Sequence, residues 1–150
     1  DVHSFPTRRS SDLKKYKTIT LFLSKNQFQY TPNGIIKGFK HFTQEFEIDS
    51  RIIDNLEVDC IEAGHAYILF LESDIIRFMN HVNKKGLQLG KDVGLLSYDD
   101  TPIKQILGED GITTISNDFQ KMGKLAGRMV RNRQKGKVAS PSSLIVRGSL

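Results

Sequence analysis

Apolar residues along this chain follow two patterns that predict two kinds of element. Short runs rich in β-branched and aromatic residues, at 18–24 and 66–71, have the length and composition of strands buried on both faces. Between such runs, apolar residues recur every three or four positions, as on one face of a helix. This alternation predicts an α/β fold with helices on both faces of a parallel sheet. Further strands are predicted at 51–53, 93–97, 112–116 and 143–147.

Start and stop signals locate the first two long helices. Pro32 opens the first helix, because a proline in the first turn loses no hydrogen bond there. Ser73 is the expected N-cap of the second helix, and Gly86 is expected to end it in the left-handed conformation. The apolar stripe of the first helix is predicted to be Ile35, Ile36, Phe39, Phe42 and Phe46.

Signals in the second half of the chain are shorter. Asn117, with Gln120 three residues later, predicts a capping box at the start of a helix that ends near residue 133. A short helical turn is expected at 101–107. Residues 54–65 lack a clear period and are predicted only as a short helix or loop.

Polar side chains follow four of the predicted strands. Because parallel strands end at one edge of a sheet, these side chains are expected to lie together, near loops and helix N-termini. Carboxylates, amides, hydroxyls and aromatic rings suit hydrogen bonds to a small polyol or sugar and stacking on its apolar face. The four groups are Lys25, Asn26 and Gln27; Glu72, Ser73 and Asp74; Tyr98, Asp99, Asp100 and Thr101; and Asn117, Asp118 and Phe119.

Several of these residues also have a structural interpretation. Ser73, Thr101 and Asn117 are typical helix caps, and one residue can both cap a helix and contact a ligand. Asp99 and Asp100 are adjacent, so that in extended backbone their side chains point to opposite sides. They are therefore not expected to form a paired acid and base, and one of them is expected to support the following turn.

The sequence offers little catalytic or metal-binding chemistry. His41, His65 and His81 lack the spacing of metal ligands, and Cys60 has no evident histidine partner. The sequence contains neither a glycine-rich phosphate-binding motif nor a set of nucleophile, base and oxyanion donors. We therefore expect a binding module rather than an enzyme, with no metal and no cofactor.

Composition and charge refine this interpretation. The 150 residues are 38% apolar and 26% charged, and no apolar run reaches the roughly 18 residues of a membrane span. With one cysteine, the chain is expected to be soluble and cytoplasmic. Its net charge is +5, and residues 121–137 contain seven Lys or Arg and no acid. Such a run indicates a nucleic-acid contact or, more typically, a solvated helix face whose cations suit the C-terminal dipole.

The first 13 residues do not share the pattern of the rest. The segment HSFPTRRSSDL at 3–13 has no hydrophobic period. All eleven residues can be encoded by the nucleotide sequence of a common sequencing-library adapter. We therefore interpret 1–13 as artefactual and expect 14–150 to be a fragment whose true N-terminus is missing. The alternative is a genuine basic, serine-rich arm.

Several motifs occur in order in the second half of the chain. They are Tyr98-Asp99-Asp100, Ile112-Thr113-Thr114-Ile115, Asp118-Phe119, Gly123 and Arg147-Gly148-Ser149-Leu150. With this order and spacing, the run LGKDVGLLSYDDTPIKQILGEDGITTISNDFQKMGKLAGRMV and the later SLIVRGSL resemble the C-terminal part of LacI/GalR-type sensor domains. The resemblance extends over 17–150 and is greatest to sensors that follow a GntR-type winged helix.

The resemblance implies the Rossmann-like half of a periplasmic-binding-protein-like type I fold, in a fragment of a ligand-responsive transcriptional regulator. It implies that Asp99 hydrogen-bonds a small effector, expected to be a sugar, that Asn117 is a polar contact and that Phe119 packs on the ring. The family commonly has an arginine at the position of Ile35, so a charged clamp on the sugar is missing here. The expected ligand-binding residues are Asp99, Asn117, Phe119, Tyr98, Ser73 and Asp74.

The resemblance also implies what this chain lacks. Sensors of this type hold the effector in a cleft between two subdomains, so the N-terminal subdomain and the DNA-binding domain would be absent. Helix 117–133 would pack on the absent subdomain, leaving its apolar stripe uncovered. The intact protein is expected to form a homodimer and to bind DNA through the missing domain, without membrane contact. The alternatives are a solute-binding protein of a transport system and an α/β enzyme that uses Asp99 or Asp100.

Overall fold

The computed structural model describes residues 15–28 and 30–150, so the adapter-like segment lies outside the described residues. Within them, one mixed sheet has six strands: β1 (Thr18–Phe22), β2 (Asp49–Ile53), β3 (His65–Leu69), β4 (Gly94–Tyr98), β5 (Thr113–Asn117) and β6 (Ser142–Ile145). Their order is β2-β1-β3-β4-β5-β6. The first five strands are parallel, and β6 is antiparallel to β5.

Helices connect the strands, which confirms the predicted α/β fold. They are α1 (Lys25–Phe28), α2 (Asn33–Glu45), α3 (Glu72–Lys84), α4 (Pro102–Ile106) and α5 (Phe119–Arg131), with a 3₁₀ turn at Val58–Cys60. Helix α2 begins one residue later than predicted, because Pro32, with ψ 131°, is its N-cap and not its first helical residue. The weakly predicted strand at 51–53 is present and begins two residues earlier.

Two apolar cores lie on opposite faces of the sheet. On one face, Ile19 and Ile68 pack with Phe39 and Phe42 of α2. On the other face, Tyr67 and Leu69 pack with Ile75, Phe78 and Val82 of α3. Side chains alternate between the two faces along each strand, so a strand with apolar residues at every position fits between two helices.

Two predicted helix caps are wrong. Helix α3 begins at Glu72 after Leu71, so Ser73 lies within its first turn and does not cap it. Asn117 is the last residue of β5, and the N-cap of α5 is Asp118, whose carboxylate accepts a hydrogen bond from the Lys121 N–H at 2.8 Å. Strand pairing has precedence at Asn117, because the ladder with β6 already fixes its backbone.

The end of α3 is as predicted. Gly86 has φ +66°, its N–H donates to the carbonyl of Asn83, and the N–H of Leu87 donates to that of Val82. These two bonds form a Schellman motif, in which a glycine adopts the left-handed conformation without steric strain.

Helix α5 differs from α2 and α3 because none of its residues is buried. Phe119, Met122 and Val130 are 53%, 39% and 80% exposed. After α5, the chain returns through β6, and Ser149 is fully buried against β4 and β5. Of the stripe that was predicted to be uncovered, Phe119, Met122 and Val130 are therefore exposed, while Leu125 and Met129 are half-buried.

Across residues 15–28 and 30–150, no helix has both the length and the apolar character that are needed to cross a membrane.

Candidate functional site

A cavity of about 910 Å³ opens at the carboxyl edge of the sheet. Asp99 and Asn117, which the sequence analysis placed at one edge, both line it. The N-terminus of α2 and the aromatic rings of Phe70 and Tyr98 form other parts of its wall. The lining residues are Ser24, Gln27, Tyr30, Thr31, Pro32, Gly34, Ile35, Phe70, Leu71, Tyr98, Asp99, Asn117, Ser140 and Ser142.

Asp99 has an unusual backbone conformation. Its φ is +57°, in the left-handed region that residues other than glycine adopt mainly as Asn or Asp. Its N–H donates to the carbonyl of Ile115 at 2.8 Å, which fastens the turn to β5. The Asp99 carboxylate is exposed and accepts no hydrogen bond from the described residues. The turn thus holds a free carboxylate at the mouth of the cavity.

Asp100 has the structural role that was expected of one member of this pair. Its carboxylate accepts two hydrogen bonds from Arg147, Nη1 to Oδ1 at 2.7 Å and Nη2 to Oδ2 at 2.9 Å. Gln105 and Thr114 donate further hydrogen bonds. The Arg147 hydrogen bonds lower the pKa of Asp100 against the opposing effect of burial. Asp100 therefore stays ionised and joins the turn to the C-terminal segment.

Lys104 supports the same turn from below the surface. The side chain is only 2% exposed, and its ammonium donates to the carbonyls of Tyr98, Asp99 at 2.9 Å and Phe70 at 3.4 Å. Burial lowers the pKa of Lys104, while the Asp99, Glu72 and Asp100 carboxylates raise it. One buried cation thus fixes the carboxyl ends of β3 and β4, including the backbone that presents Asp99.

Aromatic and amide groups complete the cavity wall. The rings of Phe70 and Tyr98 pack with centroids 5.4 Å apart. Burial, with a smaller contribution from the Asp99 carboxylate, raises the pKa of Tyr98, so its phenol stays protonated as a hydrogen-bond donor. Asn117 pairs in the sheet with Ser142, and both line the cavity.

The other predicted site residues are placed differently. Ser73 lines a second cavity of about 480 Å³, which shares Phe70, Leu71, Tyr98 and Asp99 with the larger one. Neither cavity has Asp74 or Phe119 among its described lining residues. Asp74 is buried at the start of α3, where burial raises its pKa and Arg77 lowers it. Phe119 is half exposed on the first turn of α5.

Several residues of the site were not predicted from the sequence. Tyr30, Gly34, Ser140 and Ser142 line the cavity, and Lys104 supports it. The first two follow β1 at the same edge, so the rule about strand ends applies to them as well. Ser140 and Ser142 had no local signal, because they reach the site only through the antiparallel return of β6 beside β5.

Charge in the larger cavity is confined to one group. Asp99 is the one Asp, Glu, Lys, Arg or His among its described lining residues. Ile35 lines the cavity at the position where the sequence analysis noted a missing arginine. Among all the residues that the structure describes, 15–28 and 30–150, no three His, Cys, Asp or Glu side chains are grouped so that they could hold a metal ion.

Comparison with protein families gave one match. Residues 14–150 match the family described as a periplasmic binding protein-like domain. Comparison with the sequences of curated proteins gave no match.

Comparison with solved structures found the same fold in transcriptional repressors. The Lac repressor bound to ONPG in the repressed state aligns with a TM-score of 0.64 and 16% identity, over 92% of this chain and 47% of that chain. A putative LacI-family repressor from Corynebacterium glutamicum gives 0.66 and 20%, over 89% and 57%. A probable maltose operon transcriptional repressor from Staphylococcus aureus gives 0.66 and 17%, over 93% and 56%. This chain therefore spans about half the length of these structures.

Proposed function

The chain belongs to the periplasmic binding protein-like domain family, and we propose that it is the C-terminal half of the effector-binding domain of a transcriptional regulator. The effector occupies the cavity at the carboxyl edge of the sheet. Its binding changes the relative stability of an open and a closed cleft and, through that change, the affinity for DNA.

The observation that carries this proposal is the conformation of Asp99. A left-handed residue other than glycine costs of order 1–3 kcal/mol, and such strain persists where the surrounding contacts hold it. Here Lys104 and Ile115 hold the Asp99 backbone, and Asp100 is held by Arg147. This support leaves the Asp99 carboxylate free, which suits a group whose partner is a ligand.

The lining of the cavity favours a neutral, hydroxyl-rich ligand. Asp99 and Asn117 are suited to accept hydrogen bonds from hydroxyl groups, and the Tyr98 ring offers an apolar face. An anionic ligand is disfavoured, because a phosphate or carboxylate would meet the Asp99 carboxylate with no cation among the described lining residues. A neutral sugar or polyol fits this environment better than a phosphorylated one.

The length of the chain relative to the solved structures supports an incomplete cleft. It covers 47% to 57% of the repressor chains named above, and no residue of α5 is buried in the described part of the chain. We therefore propose that residues 14–150 pair with a second subdomain, that α5 crosses to it, and that residues 1–13 are foreign to the fold.

The regulator is favoured over the transport alternative because the structural relatives named above are repressors. The family description alone would also fit a solute-binding protein. We further propose that the intact protein is a cytoplasmic homodimer with a GntR-type winged helix, which would contact DNA. The reading frame upstream of residue 14 distinguishes the two, because a winged helix indicates a regulator and a signal peptide indicates transport.

Ligand binding is testable on the chain itself. NMR spectra of the ¹⁵N-labelled 150-residue chain are recorded while neutral mono- and disaccharides are added. We expect weak binding, because one wall of the cleft is absent, with the largest shifts at Asp99, Asn117 and Tyr98. Asp99→Asn should weaken binding at least about tenfold, since a hydrogen bond to a charged group is worth about 1.5–3 kcal/mol.

The substitution Asp99→Asn is compatible with the left-handed backbone conformation of the turn. Asparagine adopts the left-handed conformation about as readily as aspartate, so Asp99→Asn removes the charge without straining the backbone further. Asp54→Asn, an exposed carboxylate beside a different cavity at the same sheet edge, is the control and should bind like the wild type. Equal binding of glucose 6-phosphate, or shifts that leave the cavity residues unmoved, would contradict the proposal.

A further inference from the structure

The outer face of α5 is strongly basic. Lys121, Lys124, Arg128 and Arg131 recur at intervals of three and four residues, so they lie on one side of the helix, and all four are exposed. An open groove of about 540 Å³ is lined by Lys124, Gly127, Arg128 and Arg131. We call the four cations Lys121, Lys124, Arg128 and Arg131 the basic face.

No acid neutralises the basic face. The sequence contains no Asp or Glu after Asp118, and Arg133, Lys135 and Lys137 continue the run. Among the described residues, none of the four cations forms an ion pair. The seven cations of 121–137 exceed the net charge of +5, so the remainder of the chain is net negative. The excess of positive charge therefore lies in residues 121–137.

The helix dipole explains only part of this pattern. Cations are stabilised near the C-terminus of a helix, which accounts for Arg128 and Arg131 in the last turn. Lys121 lies in the first turn, where the positive end of the dipole disfavours a cation, and Lys124 lies too far from the C-terminus for the dipole to stabilise it. The one acid within four residues of either lysine is Asp118, three residues before Lys121. Its carboxylate accepts a hydrogen bond from the Lys121 backbone N–H and forms no ion pair among the described residues, so pairing on the helix does not compensate for the two lysines.

We propose that the basic face of α5 contacts the phosphate backbone of nucleic acid. At 1.5 Å per residue, the four cations extend over about 15 Å, which matches several phosphates along one groove edge. The side chains are lysine and arginine without aromatic residues between them, which suits sequence-independent contacts to phosphate. This surface belongs to the present chain, so the contact does not depend on the ligand cavity or on a separate DNA-reading domain.

A membrane surface is the less favoured partner. An interfacial helix inserts its apolar side and keeps its cations near the headgroups at the flanks of that side. In α5 the basic face points away from Phe119, Met122 and Val130. If the apolar stripe is covered by another subdomain, the basic face stays accessible to DNA, whereas insertion of the stripe into a bilayer becomes impossible.

The test measures the salt dependence of binding to duplex DNA. Fluorescence anisotropy of a labelled duplex of about 20 base pairs is recorded with the 150-residue chain, between about 50 and 200 mM salt. With four phosphate contacts, we expect log K to fall against log salt with a slope of about −3 to −4. Lys124→Glu with Arg128→Glu should reduce that slope by about 2 and weaken binding at least tenfold at the lowest salt.

The matched control makes the same change of charge on another helix. Lys37 and Lys40 are exposed on α2, so Lys37→Glu with Lys40→Glu gives the same net charge without touching the basic face. This pair should keep the wild-type slope. Far-UV circular dichroism establishes that α5 is retained, and Lys124→Gln with Arg128→Gln replaces the reversal if helix content falls.

The outcomes distinguish the partners. A reduced slope in the α5 pair and an unchanged slope in the α2 pair would establish the contact. Equal losses in both pairs, or no change in slope in either, would overturn it, because binding would then depend on net charge or on another surface. Binding to vesicles rich in anionic lipid without binding to the duplex would overturn it in favour of a membrane contact.

Discussion

Helices α3 and α5 are both 13 residues long and both amphipathic, yet their apolar faces have opposite environments. In α3, Ile75, Phe78 and Val82 are buried against the sheet. In α5, no residue is buried. The same kind of pattern thus occurs on a helix that its own sheet covers and on one that it does not.

The difference shows how much a hydrophobic period can predict. A helical period indicates that one face of the helix is apolar. Burial of each large apolar side chain contributes about 1.5–3 kcal/mol to the free energy of folding. The period does not name the surface that provides the burial. For α3 that surface is in the same chain, and for α5 we propose a second subdomain.

The largest effect is expected in α3. Phe78→Ala removes a fully buried ring that packs against Tyr67 with centroids 5.0 Å apart. Such a truncation should lower the free energy of unfolding by about 3–5 kcal/mol, measured by urea denaturation. A loss similar to that of Phe119→Ala would show that α3 is not the better-packed helix.

An intermediate effect is expected where the chain returns from α5. Asp100→Asn removes the ionic partner of Arg147, which ties the C-terminal segment to the turn after β4. We expect a loss of about 2 kcal/mol at neutral pH, the size of hydrogen bonds to a charged group. The denaturation midpoint measures it.

The same substitution has a defined pH dependence. Because Arg147 lowers the pKa of Asp100 in the folded protein, this carboxylate stabilises the fold above its unfolded pKa of about 3.9. That stabilisation is lost as the pH falls below this value towards the lower folded pKa. Asp100→Asn should flatten this acid loss, and Asp54→Asn should keep the wild-type curve; two parallel curves for wild type and Asp100→Asn would exclude the assignment.

The smallest effect on stability is expected in α5. Phe119→Ser with Met122→Ser replaces two exposed apolar side chains, so the free energy of unfolding should change by less than about 0.5 kcal/mol. The same pair should lower self-association, measured by sedimentation velocity, because the exposed stripe is a surface through which the isolated chain is expected to associate. A wild-type chain that sediments as a monomer would contradict this expectation.

Local sequence predicted the elements well where one period dominates. The strands at 18–24 and 66–71 and the helix ended by Gly86 are present within a few residues. The caps at Ser73 and Asn117 were wrong, because the choice among neighbouring polar residues depends on where strand pairing stops. Of the predicted site residues, Asp99 and Asn117 line one cavity, whereas Asp74 and Phe119 do not.

The sequence alone determined the alternation of strands and helices, the two buried faces of the sheet and the edge at which polar side chains gather. These features depend on residues a few positions apart, whose periods are set by the geometry of the strand and the helix. Tertiary structure alone decided that Arg147 would secure Asp100 and that Lys104, on the helix after the turn, would also reach the carbonyl of Phe70 at the end of a different strand. Arg147 is 47 residues from Asp100, and no local pattern encodes which distant side chain meets a given turn. The packing of β6 beside β5 makes that choice, and with it the position of the free carboxylate.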